Sequence, residues 1–194
     1  MDDISLIVEG FEDVRFLQDF IIFHFPPNKV QRNSFIEIGG KSETIHTSKA
    51  KIQTSTDSGK LNIVIFDADD NDYKSTLAKV KAKERDLSLK FDKIFLFPDN
   101  NSKGNLESLL KSSVTKGNEK LFDCIEAYAI CKAALNLKNP RSIDEKEKIR
   151  IYQGSFVEPN RVKGSERSYL DNNIWDLSSP MLIPLKEFLK ELFK

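Results

Sequence analysis

Soft metal ligands are scarce in this chain: its 194 residues hold 2 cysteines and 2 histidines. Cys124 and Cys131 share one helical stretch, and neither His24 nor His46 lies near them in sequence. A zinc site needs three or four such ligands at close spacing, which excludes Cys/His metal chemistry. The two cysteines read instead as core packing in a reducing compartment. Methionine (2) and tryptophan (1) are rare beside 14 phenylalanines, so the core is stiff and aromatic rather than a pliable Met-lined groove. Charge of one sign is lacking as well, with 30 Lys and Arg against 30 Asp and Glu for a formal net charge of +0. No overall field recruits nucleic acid, and a local patch or a bound cation would have to do so. Long apolar runs are missing, and acids occupy the N-terminus where a signal peptide carries lysines. The expectation is a cytoplasmic protein without membrane contact. No Gly-x-x-x-x-Gly-Lys-Ser/Thr phosphate loop, internal repeat or low-complexity tract occurs.

What is present is a regular alternation. The run 4–8 (ISLIV) reads as a buried strand, followed by a helical pattern from Glu12 to His24 that Pro26-Pro27 stops. A strand at 34–38, a modest amphipathic helix over 41–56 and the most strand-like run, 61–67 (LNIVIFD), come next. A helix over 74–86, a strand at 93–97 and a helix opening near Gly104-Asn105 complete the series. Four strands separated by helices predict an α/β fold with a central, mostly parallel four-stranded sheet and helices on both faces. This core spans 1–117. The remainder, 118–194, forms an extension: a helix over 119–135 with Leu121, Phe122, Ile125, Tyr128 and Ile130 apolar, then a polar stretch in which 149–153 (IRIYQ) resembles a strand. A last helix near 184–193 presents Leu185, Phe188, Leu189 and Leu192 to a face of the sheet.

The acids sit where such a sheet binds ligands, at the carboxyl ends of its strands. Strand one runs into Glu9-Gly10 with Asp13 one turn further on; strand three ends in Asp67-Ala68-Asp69; strand four runs into Pro98-Asp99-Asn100, with Glu107 opening the next helix. If strands one and three are neighbours, Glu9, Asp13, Asp67 and Asp69 converge. Two carboxylates ~4 Å apart at an effective dielectric of ~20 repel by roughly 4 kcal/mol, so such a cluster calls for protons, a basic neighbour or a divalent cation. All-oxygen ligands select Mg²⁺, Mn²⁺ or Ca²⁺. Helix capping is the competing account for Asp69, Asp70, Asp72 and Asp13. It does not serve for Glu9, which directly follows a strand.

At these residues the sequence resembles the Toprim family, the catalytic domain shared by topoisomerases, primases, recombination proteins and a group of nucleases. Its first motif, an apolar strand, Glu-Gly and an Asp four residues after the Glu, is matched by Ile7-Val8-Glu9-Gly10-Phe11-Glu12-Asp13. Its second, an apolar strand ending in Asp-x-Asp, is matched by Ile63-Val64-Ile65-Phe66-Asp67-Ala68-Asp69. Phe97-Pro98-Asp99-Asn100, Gly104-Asn105-Leu106-Glu107 and the tail around Trp175-Asp176 are similar to a Toprim-related family of unknown function. The Leu-Glu pair also resembles nucleases of the overcoming-lysogenisation-defect type. The resemblance implies a Rossmann-like Toprim fold, with Glu9 as metal ligand or general acid/base. It makes Asp67 and Asp69 ligands of Mg²⁺ or Mn²⁺, completed by Asp13 and Glu107 as a two-metal, nuclease-like site. It leaves a late basic residue open between Lys103, Lys111 and Lys116, and the ATPase domain that those nucleases usually carry is expected to be absent.

The expected activity is therefore metal-dependent hydrolysis of phosphodiesters in nucleic acid, with catalytic Glu9, Asp67 and Asp69 and in-line attack by water. If any segment supplies substrate contacts it is residues 132–167, where Lys and Arg outnumber acids and Tyr152 and Phe156 could stack on bases; the competing and favoured account of this charge run is a solvated surface loop. The alternative is a non-catalytic module of the same fold that binds nucleic acid, a partner protein or a second copy. A phosphohydrolase of the haloacid-dehalogenase type also uses Asp-x-Asp after a strand. That family usually has Thr or Val where Asn71 stands here, and the motif falls on the third strand rather than the first.

Overall fold

The computed structural model describes residues 3–26, 30–40, 42–156 and 168–193. Its centre is a sheet of β1 (Ile4–Val8), β2 (Phe35–Glu37), β3 (Leu61–Asp67) and β4 (Lys93–Phe97), in the order β2-β1-β3-β4. Every pairing is parallel: Val8 lies opposite Glu37 on one side and Ile65 on the other, and Asp67 lies opposite Phe97. The β1–β2 connection leaves to one side of β1 and the β3–β4 connection to the opposite side of β3. The switch in strand order thus falls between β1 and β3, the place where open α/β sheets bind ligands.

Side chains alternate across a strand, so each face has its own core. Leu6, Val8, Ile63, Ile65, Phe95 and Phe97 point to one face, where α1 (Phe11–His24) covers them through Val14, Leu17, Phe20 and Ile21. Ile7, Val64, Phe66 and Leu96 point to the other, under Ile52 of α2 (Lys49–Asp57) and Val80 of α3 (Tyr73–Asp86). The α/β class with helices on both faces is thereby observed. The segment read as one helix over 41–56 divides into a 3-10 turn, Ser42–Ser48, and α2.

Beyond β4 come α4 (Leu106–Lys111), α5 (Lys120–Ala134), α6 (Glu145–Gly154) and α7 (Ile183–Lys190). Phe122, Ile125, Ile149, Tyr152, Tyr169, Trp175, Leu185 and Leu189 join the same core as α1, so the extension closes that face of the sheet. Phe188 packs on Phe95 with ring centroids 5.1 Å apart.

Three expectations are corrected here. Residues 149–153 are not a strand but the second half of α6, which Asp144 caps by accepting the Glu147 N–H at 2.8 Å. Asp144 followed by Glu147 is a helix-start signature that outweighs five alternating residues. On α5 only Phe122 and Ile125 are buried, while Tyr128 and Ile130 face solvent. Cys124 and Cys131 are exposed as well, so they pack no core. Among the described residues no helix is long and apolar enough to cross a membrane.

Because α7 is the outermost cover of that face, Leu185→Ala should cost about 2–5 kcal/mol, the usual range for emptying a buried leucine site. Urea melts followed by circular dichroism should show a lower midpoint with one unchanged transition. Two transitions would mean that α7 melts apart from the sheet.

Candidate metal centre

Glu9 and Asp67 leave neighbouring parallel strands at the same edge, and they touch: the Asp67 backbone N–H donates to Glu9 Oε1 at 3.3 Å. Asp13 lies one turn into α1, buried, with Oδ2 accepting the Gly10 N–H at 2.8 Å. The Asp67 side chain reaches across to α4, where Oδ1 accepts the Leu106 N–H at 2.9 Å. Asn105 caps that helix by accepting the Ser108 N–H at 2.9 Å, which turns the Leu106 amide toward the sheet edge. Glu107, the next residue, is 8% exposed and faces Lys146 of α6, Nζ to Oε1 3.6 Å.

These contacts bring Glu9, Asp13, Asp67 and Glu107 into one electrostatic group. Burial pushes the Asp67 carboxyl well above the ordinary carboxylate range, and the charges of Asp13, Glu9 and Glu107 push it further; the Leu106 amide opposes them. Burial likewise drives Asp13 up to about 7, against the Gly10 hydrogen bond, while Glu107 adds to the rise and Lys146 lowers it. Like charges are thus held together in a poorly solvated place, where only a proton or a cation relieves them.

The backbone holds Asp69 in place. It sits at φ 55° and pairs with Gly104 in both directions, N–H to carbonyl at 2.7 and 2.9 Å. Aspartate is among the side chains that tolerate this left-handed conformation. Gly104 has φ 139°, and a Cβ there would lie 3.1 Å from Pro98 Cδ and 3.2 Å from Ser108 Oγ. The loops after β3 and β4 are therefore stitched together, with the partly exposed Asp69 on their rim. Two neighbouring acids are architectural. Asp72 caps α3 through the Ser75 N–H at 3.0 Å, and Asp99 closes its own loop on the amides of Asn101 and Ser102.

All five sequence candidates lie at this one edge, but they are not a closed cage. Among the described residues no group of three or more His, Cys, Asp or Glu side chains surrounds a single point at coordinating distance. Sequence reading also missed residues. The sequence marks Lys146 only as one of the basic residues of 132–167 and not as the partner of Glu107, whereas Lys111 turns to Glu126 and Glu145 at 3.7 and 4.0 Å. Glu12 is fixed by Tyr169, whose hydroxyl donates to Oε2 at 3.0 Å, and by Arg15 at 3.3 Å. Between these groups lies a cavity of about 20 Å³ lined by Glu12, Glu107, Lys146, Arg150, Gln153 and Tyr169. Tyr152, expected to meet bases, is wholly buried and donates its hydroxyl hydrogen bond to the Ile174 carbonyl at 2.6 Å. Residues 157–167 of the basic span lie outside the described residues.

A family model described as Protein of unknown function (DUF3226) matches residues 3–194. No curated protein and no solved structure matches the chain.

The raised carboxyl groups make a signed prediction for metal-free buffer. Below pH ~4 both the folded and the unfolded chain carry these protons. As pH rises toward 7 the unfolded chain releases them first and the folded one retains them, so stability falls through this window. Asp13→Asn keeps an acceptor for Gly10 and should raise stability at pH 8 by about 1–3 kcal/mol, one pH unit of displacement corresponding to about 1.4 kcal/mol. Thermal melts of both proteins from pH 4 to 8 in EDTA check this, and the variant should show the shallower slope.

Proposed function

We propose, for a chain that belongs to the family of proteins of unknown function DUF3226, that the acidic edge binds Mg²⁺ or Mn²⁺ and hydrolyses phosphodiesters in nucleic acid, as the resemblance to Toprim nucleases implies. The observation that carries the reading is the coupling of four carboxylates from three strand ends, with Asp67 driven out of its ordinary range by burial and by its neighbours. Such a group burdens the fold, and Asp13 and Asp67 would sit there more comfortably as amides. The donor set fits the metal in kind, because it offers carboxylate oxygens alone. Its open spacing suits Mg²⁺, which keeps several waters and uses only one or two carboxylates.

Asp67 and Asp69 would hold the first cation, with Asp13 and Glu107 completing a second position. A bound divalent cation supplies charge for the phosphoryl oxygens and acidity for a water. Glu9, oriented by the Asp67 amide, takes the proton of the attacking water. Lys146, restrained by Glu107, lies beside the site as a counter-charge to the phosphate. A second reading, a binding module without catalysis, is favoured by one observation. The oxygens of Glu9, Asp13 and Asp67 already accept backbone amides, so each has a structural task of its own.

The purified protein is expected to nick or cleave nucleic acid with Mn²⁺, less with Mg²⁺ and not in EDTA. Asp69→Ala should reduce cleavage to background with an unchanged circular dichroism spectrum, since the change sits on a rim loop. Metal should raise the melting temperature of the wild type, with about 2.7 kcal/mol of stabilisation at a hundred times Kd, and Asp67→Asn should remove that rise. Glu107→Gln separates one cation from two: loss of cleavage with one metal still bound supports the pair, and full activity makes Glu107 a helix-start acid. Metal binding without cleavage of any nucleic acid would favour the module.

A further inference from the structure

We infer that Phe11, braced by Arg15 and Arg32, is a stacking platform for an unpaired nucleobase at the rim of the acidic edge, so that the nucleic acid acted on is single-stranded. The inference rests on the reading of that edge as one that meets phosphodiesters, and it adds the substrate class.

Phe11 is the first residue of α1, two positions after Glu9, and two residues of chain span at most about 7 Å. The backbone thus carries Phe11 at the same end of the sheet as Glu9. Of the aromatics on α1, Phe16 and Phe20 are wholly enclosed, whereas Phe11 at its start is 45% exposed and Phe23 at its far end 46%. It is held in place by charge: the guanidinium carbon of Arg15 lies 5.7 Å from the ring centroid and that of Arg32, from the segment before β2, lies 5.3 Å away. Each arginine is in turn fixed by a carboxylate, Arg15 by Glu12 and Arg32 by Glu37. An exposed ring clamped from two elements loses little freedom when a base settles on it.

The chemistry of this ledge selects the ligand. Every nucleobase has a flat face, and stacking on an aromatic side chain tolerates any sequence. Duplex DNA keeps those faces inside, so only an unpaired base reaches a single ring. The guanidinium groups favour a phosphate-bearing chain over a neutral aromatic ligand, yet their charges are balanced locally by Glu12 and Glu37. Binding should accordingly depend weakly on salt, unlike a lysine-rich groove. On α6 Tyr152 is buried, and Phe156 just beyond that helix is 38% exposed but packs edge-on against Tyr152 at 5.2 Å, with no arginine over its ring among the described residues.

The test is fluorescence anisotropy with a labelled oligothymidylate and a duplex of the same length, in EDTA so that nothing is cut. The single strand should bind more tightly. Phe11→Ala should weaken single-strand binding about tenfold, within the range found for removing one stacking ring, and leave duplex binding unchanged. Phe11→Tyr should retain the affinity. Phe11→Trp adds a readout that a structural role would not move: its emission should be quenched by the oligonucleotide, while the buried Trp175 gives a constant background. Equal affinity of Phe11→Ala and wild type for the single strand, or no wild-type preference over duplex, would overturn the inference. Cleavage assays keep the two readings apart. Mn²⁺-dependent cleavage of single strands by Phe11→Ala with unchanged KM would sink the ledge alone. Phe11-dependent binding without cleavage under any metal would sink the nuclease reading alone.

Discussion

The parallel pairing of β1 with β3 is the constraint on which the rest of this molecule depends. Val8 opposite Ile65 sets both strands so that Glu9 and Asp67 emerge together, close enough for the Asp67 amide to donate to the Glu9 carboxylate. A slip of one residue in either strand would turn Leu6, Val8, Ile63 and Ile65 toward the wrong core. Both faces of this sheet are covered, so that error is penalised twice, once under α1 and once under α2 and α3. Hydrophobic burial thus fixes the register, and the register carries the acids. The site is positioned by residues that never touch it.

What the pairing brings together, electrostatics resists. The sheet edge answers with dipoles: the Gly10 amide at the start of α1 meets Asp13, and the Leu106 amide at the start of α4 meets Asp67. Helix starts favour negative charge, and these contacts lower the cost of ionisation without cancelling the burial that raises it. Lys146 offsets Glu107 from a third direction. The compensation is partial by construction, since Asp13 and Asp67 remain displaced upward. A fold selected for stability alone would place asparagine or a hydrophobe at these positions.

Much of this was legible in the chain because two signals agreed. Continuous apolar runs marked β1, β3 and β4 at their observed ends, and Glu9-Gly10 and Asp67-Ala68-Asp69 fell at the strand ends that the topology later joined. Legibility failed where local pattern and tertiary context part. The run 149–153 alternates like a strand, but Ile149 and Tyr152 are three apart on a helix and both face the core. Reading it as a strand hid α6, and with it Lys146 and the burial of Tyr152. On α5 apolar composition suggested an enclosed helix, yet only Phe122 and Ile125 are buried, with Leu121 partly covered beside them. Composition says that a residue can be buried, whereas position relative to the other elements decides whether it is. The Glu12–Tyr169 contact joins positions 157 residues apart, and no local pattern reports it.

The two ends of the sheet show why the acidic edge, rather than some other polar spot, is the place to look for function. At the amino end β1 and β3 bury polar groups too, Ser5 and Asn62, together with Ser55 of α2. There the groups are neutral and answer one another. Ser55 Oγ lies 2.8 Å from Ser5 Oγ and 2.7 Å from Asn62 Oδ1, and Asn62 Nδ2 donates to Thr56 Oγ1 at 2.7 Å and the Lys90 carbonyl at 3.1 Å. A satisfied neutral network rigidifies a core and asks for nothing further. At the carboxyl end the same two strands gather like charges whose hydrogen bonds leave the repulsion in place. One sheet thus carries a closed polar end and an electrostatically unfinished one. The unfinished end also borders the exposed Phe11 ring and the rim loop of Asp69. A cation and the phosphates that accompany it would complete that end in the way that side chains alone complete the other.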